Sequence, residues 1–170
     1  MNKFLKIAFV AVVIMTSNTL FAQTFKFGHI NSSELIQAMP QTKQADSALK
    51  VYGSSLDSQL KGMTAEYQNK LQTYQSKRDS LPEAISKTKE KELEDLGNRI
   101  QDFQQTAQES IQKKKEELYG PVLKRAEDAI KDIAKEKGYS YIFDTSLGTV
   151  LYAQPSDDMM TAVKTKLGLK

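Results

Sequence analysis

From about Gln41 to Tyr119 the chain is polar, rich in Gln, Lys, Glu and Ser, and carries one narrow apolar stripe. In the first half the stripe runs Leu49, Tyr52, Leu56, Leu60, Met63, Tyr67, Leu71 and Tyr74, in steps of 3, 4, 4, 3, 4, 4 and 3 residues. That is an eleven-residue repeat, close to roughly 3.67 residues per turn, which predicts a straight or slightly right-handed coil and not a heptad supercoil. The second half runs Leu93, Leu96, Ile100, Phe103, Ala107 and Ile111, then Leu118 after a Lys at the intermediate position. Both halves are narrow-stripe amphipathic helices. One such stripe buries too little surface to hold a long helix alone, so each half needs a partner.

Between the halves stands Ser80-Leu81-Pro82. Pro82 removes a backbone donor and disfavours helix at Leu81. Asp79 or Ser80 can cap the next helix, with Glu83 in its first turn. The spacing therefore predicts an antiparallel helical hairpin over 41–119 with its tip near 79–84. An arm of this length projects roughly 60 Å at 1.5 Å per residue. Gly53, Gly62 and Gly97 fall inside the helices, where each costs about 1 kcal/mol against Ala, and they suggest an arm that flexes. The alternative is one continuous coiled coil, against which Pro82 argues.

The flanks are different. Phe25 to Ile30 alternates apolar and polar and reads as a strand, with His29 on the Phe25/Phe27 face as a packed or hydrogen-bonded residue. Ser32 or Ser33 can cap a short helix bearing Leu35, Ile36 and Met39, which Pro40 stops. Gly120-Pro121 should kink or restart the helix leaving the hairpin. Beyond it the stripe widens to Val122, Leu123, Ala126, Ala129, Ile130, Ile133 and Ala134, the mark of a helix buried in a compact body, with Gly138 as a left-handed C-cap. Tyr139–Asp144 and Thr149–Ala153 read as an antiparallel strand hairpin about a turn at 145–148. Ser156 or Asp157 then caps a last helix with Met159, Met160, Val163 and Leu167. A small body of three strands leaves open sheet edges, and association between subunits is the easiest way to cover them.

Residues 1–22 have the layout of a secretory signal: Lys3 and Lys6, the uncharged run Ile7–Met15, then small and polar residues ending at Ala22. Cleavage after Ala22 is expected, with no membrane span left afterwards; an uncleaved anchor is the alternative. The apolar run is shorter than the roughly 20 residues a span needs. The formal net charge of +3 owes two lysines to that segment, leaving 22 basic residues against 21 acidic in the 148 residues that follow. Nucleic-acid binding, which needs a concentrated basic surface, is not supported.

With no Cys and a single His, thiolate metal sites, cysteine nucleophiles, serine triads and multi-histidine metal sites are excluded. No glycine-rich phosphate loop or nucleophile elbow is present. No catalytic residue, cofactor or metal is expected, and the chain is not read as an enzyme. The one local feature that looks like a contact surface is the tip, where Lys77, Arg78, Lys87, Lys89 and Lys91 surround Leu81 and Ile85.

Three stretches resemble the Skp/OmpH family of periplasmic chaperones. They are Ile30-Asn31 with Leu35-Ile36 and Pro40; Ala134–Asp144 with Gly148–Ala153; and Asp158, Val163 and Leu167, with Met160 where the family often has Thr. The arms resemble it in length and pattern. The resemblance implies an α+β, mainly α fold. A small β-rich body, 23–40 with 120–170, would carry the hairpin arm and assemble into a jellyfish-like homotrimer. Phe25, Phe27, Ile30, Ile142, Val150, Leu151 and Tyr152 would build the trimer body. It further implies an ATP-independent periplasmic holdase that keeps unfolded outer-membrane proteins from aggregating in a cavity between the arms. Lipopolysaccharide is a doubtful further partner, because residues 41–119 balance 13 basic against 13 acidic side chains. The competing class is a structural envelope spacer or scaffold that binds a folded partner.

Overall fold

A computed structural model of the chain describes residues 25–169. The expected signal segment lies outside the described residues. Strand β1 (Phe27–Ile30) leads into α1 (Ser32–Ala38) and the long α2 (Pro40–Lys77), then a 3₁₀ turn at Arg78–Ser80. Helix α3 (Glu83–Glu136) returns, followed by β2 (Tyr141–Asp144), a 3₁₀ turn at Pro155–Asp157 and α4 (Met160–Lys166).

The hairpin follows from the stripe. Tyr74 Oη meets Ser86 Oγ at 2.9 Å and Glu90 Oε1 at 2.5 Å. Gly97 lies against the Tyr67 ring, and Tyr119 Oη donates to Asp46. As one partner's number rises the other's falls, so α2 and the first part of α3 run antiparallel. At 38 residues, α2 is about 57 Å long. Leu81 takes the extended conformation (φ −84°, ψ 139°) imposed by the following proline. Pro82 precedes α3, and its carbonyl accepts from the amides of Ile85 and Ser86 at 3.0 Å. Neither Asp79 nor Ser80 caps α3: both are in the 3₁₀ turn, and the Ser80 hydroxyl donates to the Lys77 carbonyl.

Pro40 departs from expectation, and of the kink or restart expected at Gly120-Pro121 the restart does not occur. Pro40 does not merely stop α1 but opens α2 at its first turn, where a missing donor costs nothing. Helix α3 continues through Gly120-Pro121 for 54 residues without restarting. Packing decides this: Leu118 is half-buried before the proline, and Val122, Ala126, Ala129 and Ile133 are buried after it. That burial outweighs the hydrogen bond proline cannot donate. Leu123, however, is 48 % exposed and is not part of the buried face.

The sheet differs most. It has two strands, β1 and β2, paired parallel with Phe27 opposite Tyr141 and Ile30 opposite Asp144. Parallel strands need a crossover, and here the whole α1–α2–α3 excursion supplies it. Residues 149–153 do not return along β2. One edge of β2 is taken by β1, and the Asp144 carboxylate turns the chain away by accepting from Ser32 N, Ser32 Oγ and Ser146 N. The chain then passes to the other edge of β1. There the Met159 amide donates to the His29 carbonyl at 2.9 Å, and His29 Nε2 lies 3.0 Å from the Gln154 carbonyl. His29 is thus half-buried and hydrogen-bonded, as expected.

The body's core joins Ile30, Leu35 and Met39 to Val122, Ala126, Ala129 and Ile133 of α3, and to Met159, Met160 and Val163. Gly28 is the tight point, since a Cβ there would lie 2.9 Å from both Met159 Sδ and the Tyr139 ring. Gly138, at φ +68°, ends α3 as expected, with the Tyr139 amide bonded back to Ala134 O. Asn31, not Ser32 or Ser33, caps α1, accepting from Glu34 N at 3.0 Å. Asp158, not Ser156 or Asp157, accepts from Met160 N at the start of α4.

Candidate functional site

Two surfaces stand out, one on the body and one on the arm. On the body, the two-residue period of the strands puts Gly28 and Ile30 inward and Phe25 and Phe27 outward. In β2 the same rule turns Tyr141 and Phe143 out. The four rings form a continuous row: Phe25–Tyr141 at 6.2 Å, Phe27–Tyr141 at 5.8 Å and Phe27–Phe143 at 6.2 Å. All four are about half exposed, 48–58 %. Tyr152 (82 % exposed) shares a cleft with Phe27 and Phe143, and Leu147 (75 %) and Leu151 (99 %) are also exposed. A monomer seldom shows so much contiguous apolar surface without a use for it.

Of the residues expected to build the body's interface, Phe25, Phe27, Leu151 and Tyr152 are exposed and Val150 is half-buried. Ile30 is in the core and Ile142 packs against it. Tyr141 and Phe143 were missed. Their alternation with Ile142 was the signal, since neighbours in a strand face opposite sides.

On the arm, all twelve stripe residues are buried or half-buried: Leu49, Tyr52, Leu56, Leu60, Met63, Tyr67, Leu71, Tyr74, Leu93, Leu96, Ile100 and Phe103. Only Leu93 and Leu96 are fully buried, at 8 % and 4 %. The seam is therefore two helices wide and no more, with solvent reaching its sides. Ile111 departs from the stripe and is 36 % exposed. Along the arm, exposed ion pairs one turn apart such as Asp57–Lys61 and Glu66–Lys70 hold charge on the solvated faces.

At the tip the seven expected contact residues divide. Lys77, Leu81 and Lys89 line a groove of about 430 Å³ between the two helices. Ile85 is outside it and 47 % exposed. Lys87 pairs with Glu83 at 2.7 Å, and Lys89 with Glu92 at 2.9 Å. The hydrogen bond from Lys89 holds the Glu92 carboxyl below the usual range. Lys77, Arg78 and Lys91 form no ion pair among the described residues. No helix among the described residues is long and apolar enough to cross a membrane.

Comparison with known proteins bears on the whole chain. No curated protein matches the sequence significantly. A crystal structure from Caulobacter crescentus CB15, assigned provisionally as an outer membrane chaperone (OmpH-like), superposes with a TM-score of 0.74 at 17 % sequence identity. The match covers 84 % of this chain and 83 % of that one, and it establishes the shared fold. The OmpH family profile, described as outer membrane protein (OmpH-like), matches residues 26–167, strand, hairpin arm and final helix together. On that match the chain belongs to the OmpH-like family.

Proposed function

We propose that this protein is an ATP-independent holdase of the periplasm that encloses unfolded outer-membrane proteins between the arms of a homotrimer. The observation that carries the reading is the division of labour in the chain. A small body exposes a row of four aromatic rings, while an arm nearly 60 Å long is held to itself by a seam only two helices wide.

Burial of the aromatic row is the natural driving force for self-association. At about 25 cal/mol per Å², removing even a few hundred Å² per subunit from water yields several kcal/mol. Self-association through the body brings several arms round one space. Residues 41–119 carry 13 basic and 13 acidic side chains, so the arms attract nothing through net field. Capture then rests on enclosure and apolar contact. The export layout of residues 1–22 supports the periplasm as the site of action.

The test is co-elution. A denatured outer-membrane barrel protein is diluted from urea into the mature chain without nucleotide, and the mixture is run on gel filtration with light scattering. A soluble complex with the mass of three chains plus one client is expected. A client found only in the pellet, with the chain eluting alone, would overturn the reading.

A further inference from the structure

The tip groove has a composition that selects its occupant. Tyr74, Leu81 and Leu93 give it apolar walls. Tyr74 presents its ring, since its hydroxyl is engaged by Ser86 and Glu90. Thr73 presents its methyl, since its hydroxyl donates to the Asn69 carbonyl. Three cations line the groove, but two are already satisfied: Lys70 by Glu66 at 3.3 Å and Lys89 by Glu92 at 2.9 Å. Lys77 has no carboxylate partner, and the Asn69 side-chain amide makes no hydrogen bond, among the described residues.

We propose that this groove seats one aromatic side chain of an unfolded client segment, with an adjacent acidic residue of that segment paired to Lys77. The proposal rests on the holdase reading and names the kind of segment the tip selects. The volume, about 430 Å³, falls within the usual range for a ligand cleft of roughly 300–1,000 Å³ and accommodates a ring with its flanking backbone. Aromatic rings bring the largest apolar area for the least lost side-chain freedom. Asn69 can donate to and accept from an extended backbone. One unpaired cation matches one carboxylate. A lipid phosphate headgroup carrying several negative charges fits less well, because two of the three cations lining the groove are already paired and only Lys77 is left.

The test uses the full mature chain and fluorescent, unstructured Gly/Ser-rich peptides with the central sequence Asp-Phe-Asp, Asp-Ala-Asp or Lys-Phe-Lys. Binding is followed by anisotropy. The Ala probe should bind about 30-fold more weakly than the Phe probe. Thr73→Trp, which fills the groove from an exposed helix position, should weaken the Asp-Phe-Asp probe at least ~10-fold. Gln112→Trp, exposed on the arm away from the tip, should leave it unchanged. Lys77→Glu should weaken the same probe roughly 3- to 10-fold and make the Lys-Phe-Lys probe the better ligand. This reversal keeps the proposal testable even if the Trp variant distorts the tip.

Equal binding of the Phe and Ala probes, or no effect of either variant, overturns the proposal. So does displacement of the probe by phosphatidylglycerol vesicles whose own binding is lost in Thr73→Trp, which would assign the groove to a lipid phosphate. Failed probe binding alongside intact suppression of client aggregation refutes the groove alone. The expected probe pattern without any suppression refutes the holdase reading and leaves the groove's selectivity standing.

Discussion

Asp144 joins the end of β2 to the start of α1, and its replacement should destabilise the body in a pH-dependent way. Burial pushes its carboxyl up. The hydrogen bonds from Ser32 and Ser146 together outweigh burial and bring it from an ordinary 3.8 to about 2. At about 1.36 kcal/mol per pH unit that difference is at most ~2.5 kcal/mol. Asp144 is half-buried, so solvent screening reduces the figure to about 1–2 kcal/mol. The folded state holds the carboxylate more tightly than the unfolded chain does. The contribution is therefore complete above about pH 4 and is lost as pH falls from there towards 2. Asp144→Asn keeps the shape, but the amide nitrogen that replaces Oδ2 cannot accept the hydrogen bond from the Ser32 hydroxyl, and the charge is gone. Urea unfolding at fixed protein concentration, followed by tyrosine fluorescence, should show the variant about 1–2 kcal/mol less stable at pH 7. By pH 2 most of that difference should have gone. An equal loss at pH 7 and pH 2, or none at pH 7, would refute this reasoning.

Other positions give sharper yes-or-no outcomes. Gly28→Ala should cost about 1–3 kcal/mol in the same urea assay, because its Cβ would meet Met159 and the Tyr139 ring at 2.9 Å. Gly53→Ala and Gly62→Ala meet nothing within 4 Å, so each should raise arm stability by up to ~1 kcal/mol, read as a later loss of helical circular dichroism on heating. Leu96→Ala, buried at 4 % in the seam, should cost about 2–4 kcal/mol; no change would mean the two helices do not pack there in solution. Phe27→Asp places a charge in the aromatic row and should shift the chain towards monomer by light scattering, without loss of helix. An unchanged mass would remove that row from the interface.

The arm was legible because its signal is repeated. Eight stripe residues in steps of three and four define a helix face many times over, and Pro82 marks the one place it must break. The body was less legible because its strands are only four residues long. Tyr139–Asp144 announces a strand, but a strand's own residues do not name its partner. Proximity favours the nearest apolar run, Thr149–Ala153, whereas the partner is Phe27–Ile30, more than 100 residues away. The true pairing depends on the Asp144 turn and on His29 binding the chain at Gln154 and Met159. None of these contacts leaves a periodic trace in sequence. At Pro121 local propensity allowed a restart, and burial of Val122, Ala126, Ala129 and Ile133 overrode it.

The tip lay between these cases. Sequence picked out Lys77, Leu81 and Lys89 as neighbours of the turn, and the structure gathers them into one groove while excluding Ile85. Which cations are paired is foreshadowed by sequence spacing and fixed by the geometry. Glu83 and Glu92 stand four residues before and three after the lysines they hold, and Lys77 has no such neighbour in reach.

The central claim is capture without chemical energy, and its most direct measurement is aggregation on dilution. A urea-denatured outer-membrane barrel protein is diluted into buffer containing the mature chain, without nucleotide, and turbidity is followed with time. The account expects suppression that saturates near one trimer per client. It also expects little change between low and physiological salt, because the arm's charges balance and exposed charges are screened within about 8 Å. Turbidity rising as fast as in buffer alone would contradict the account.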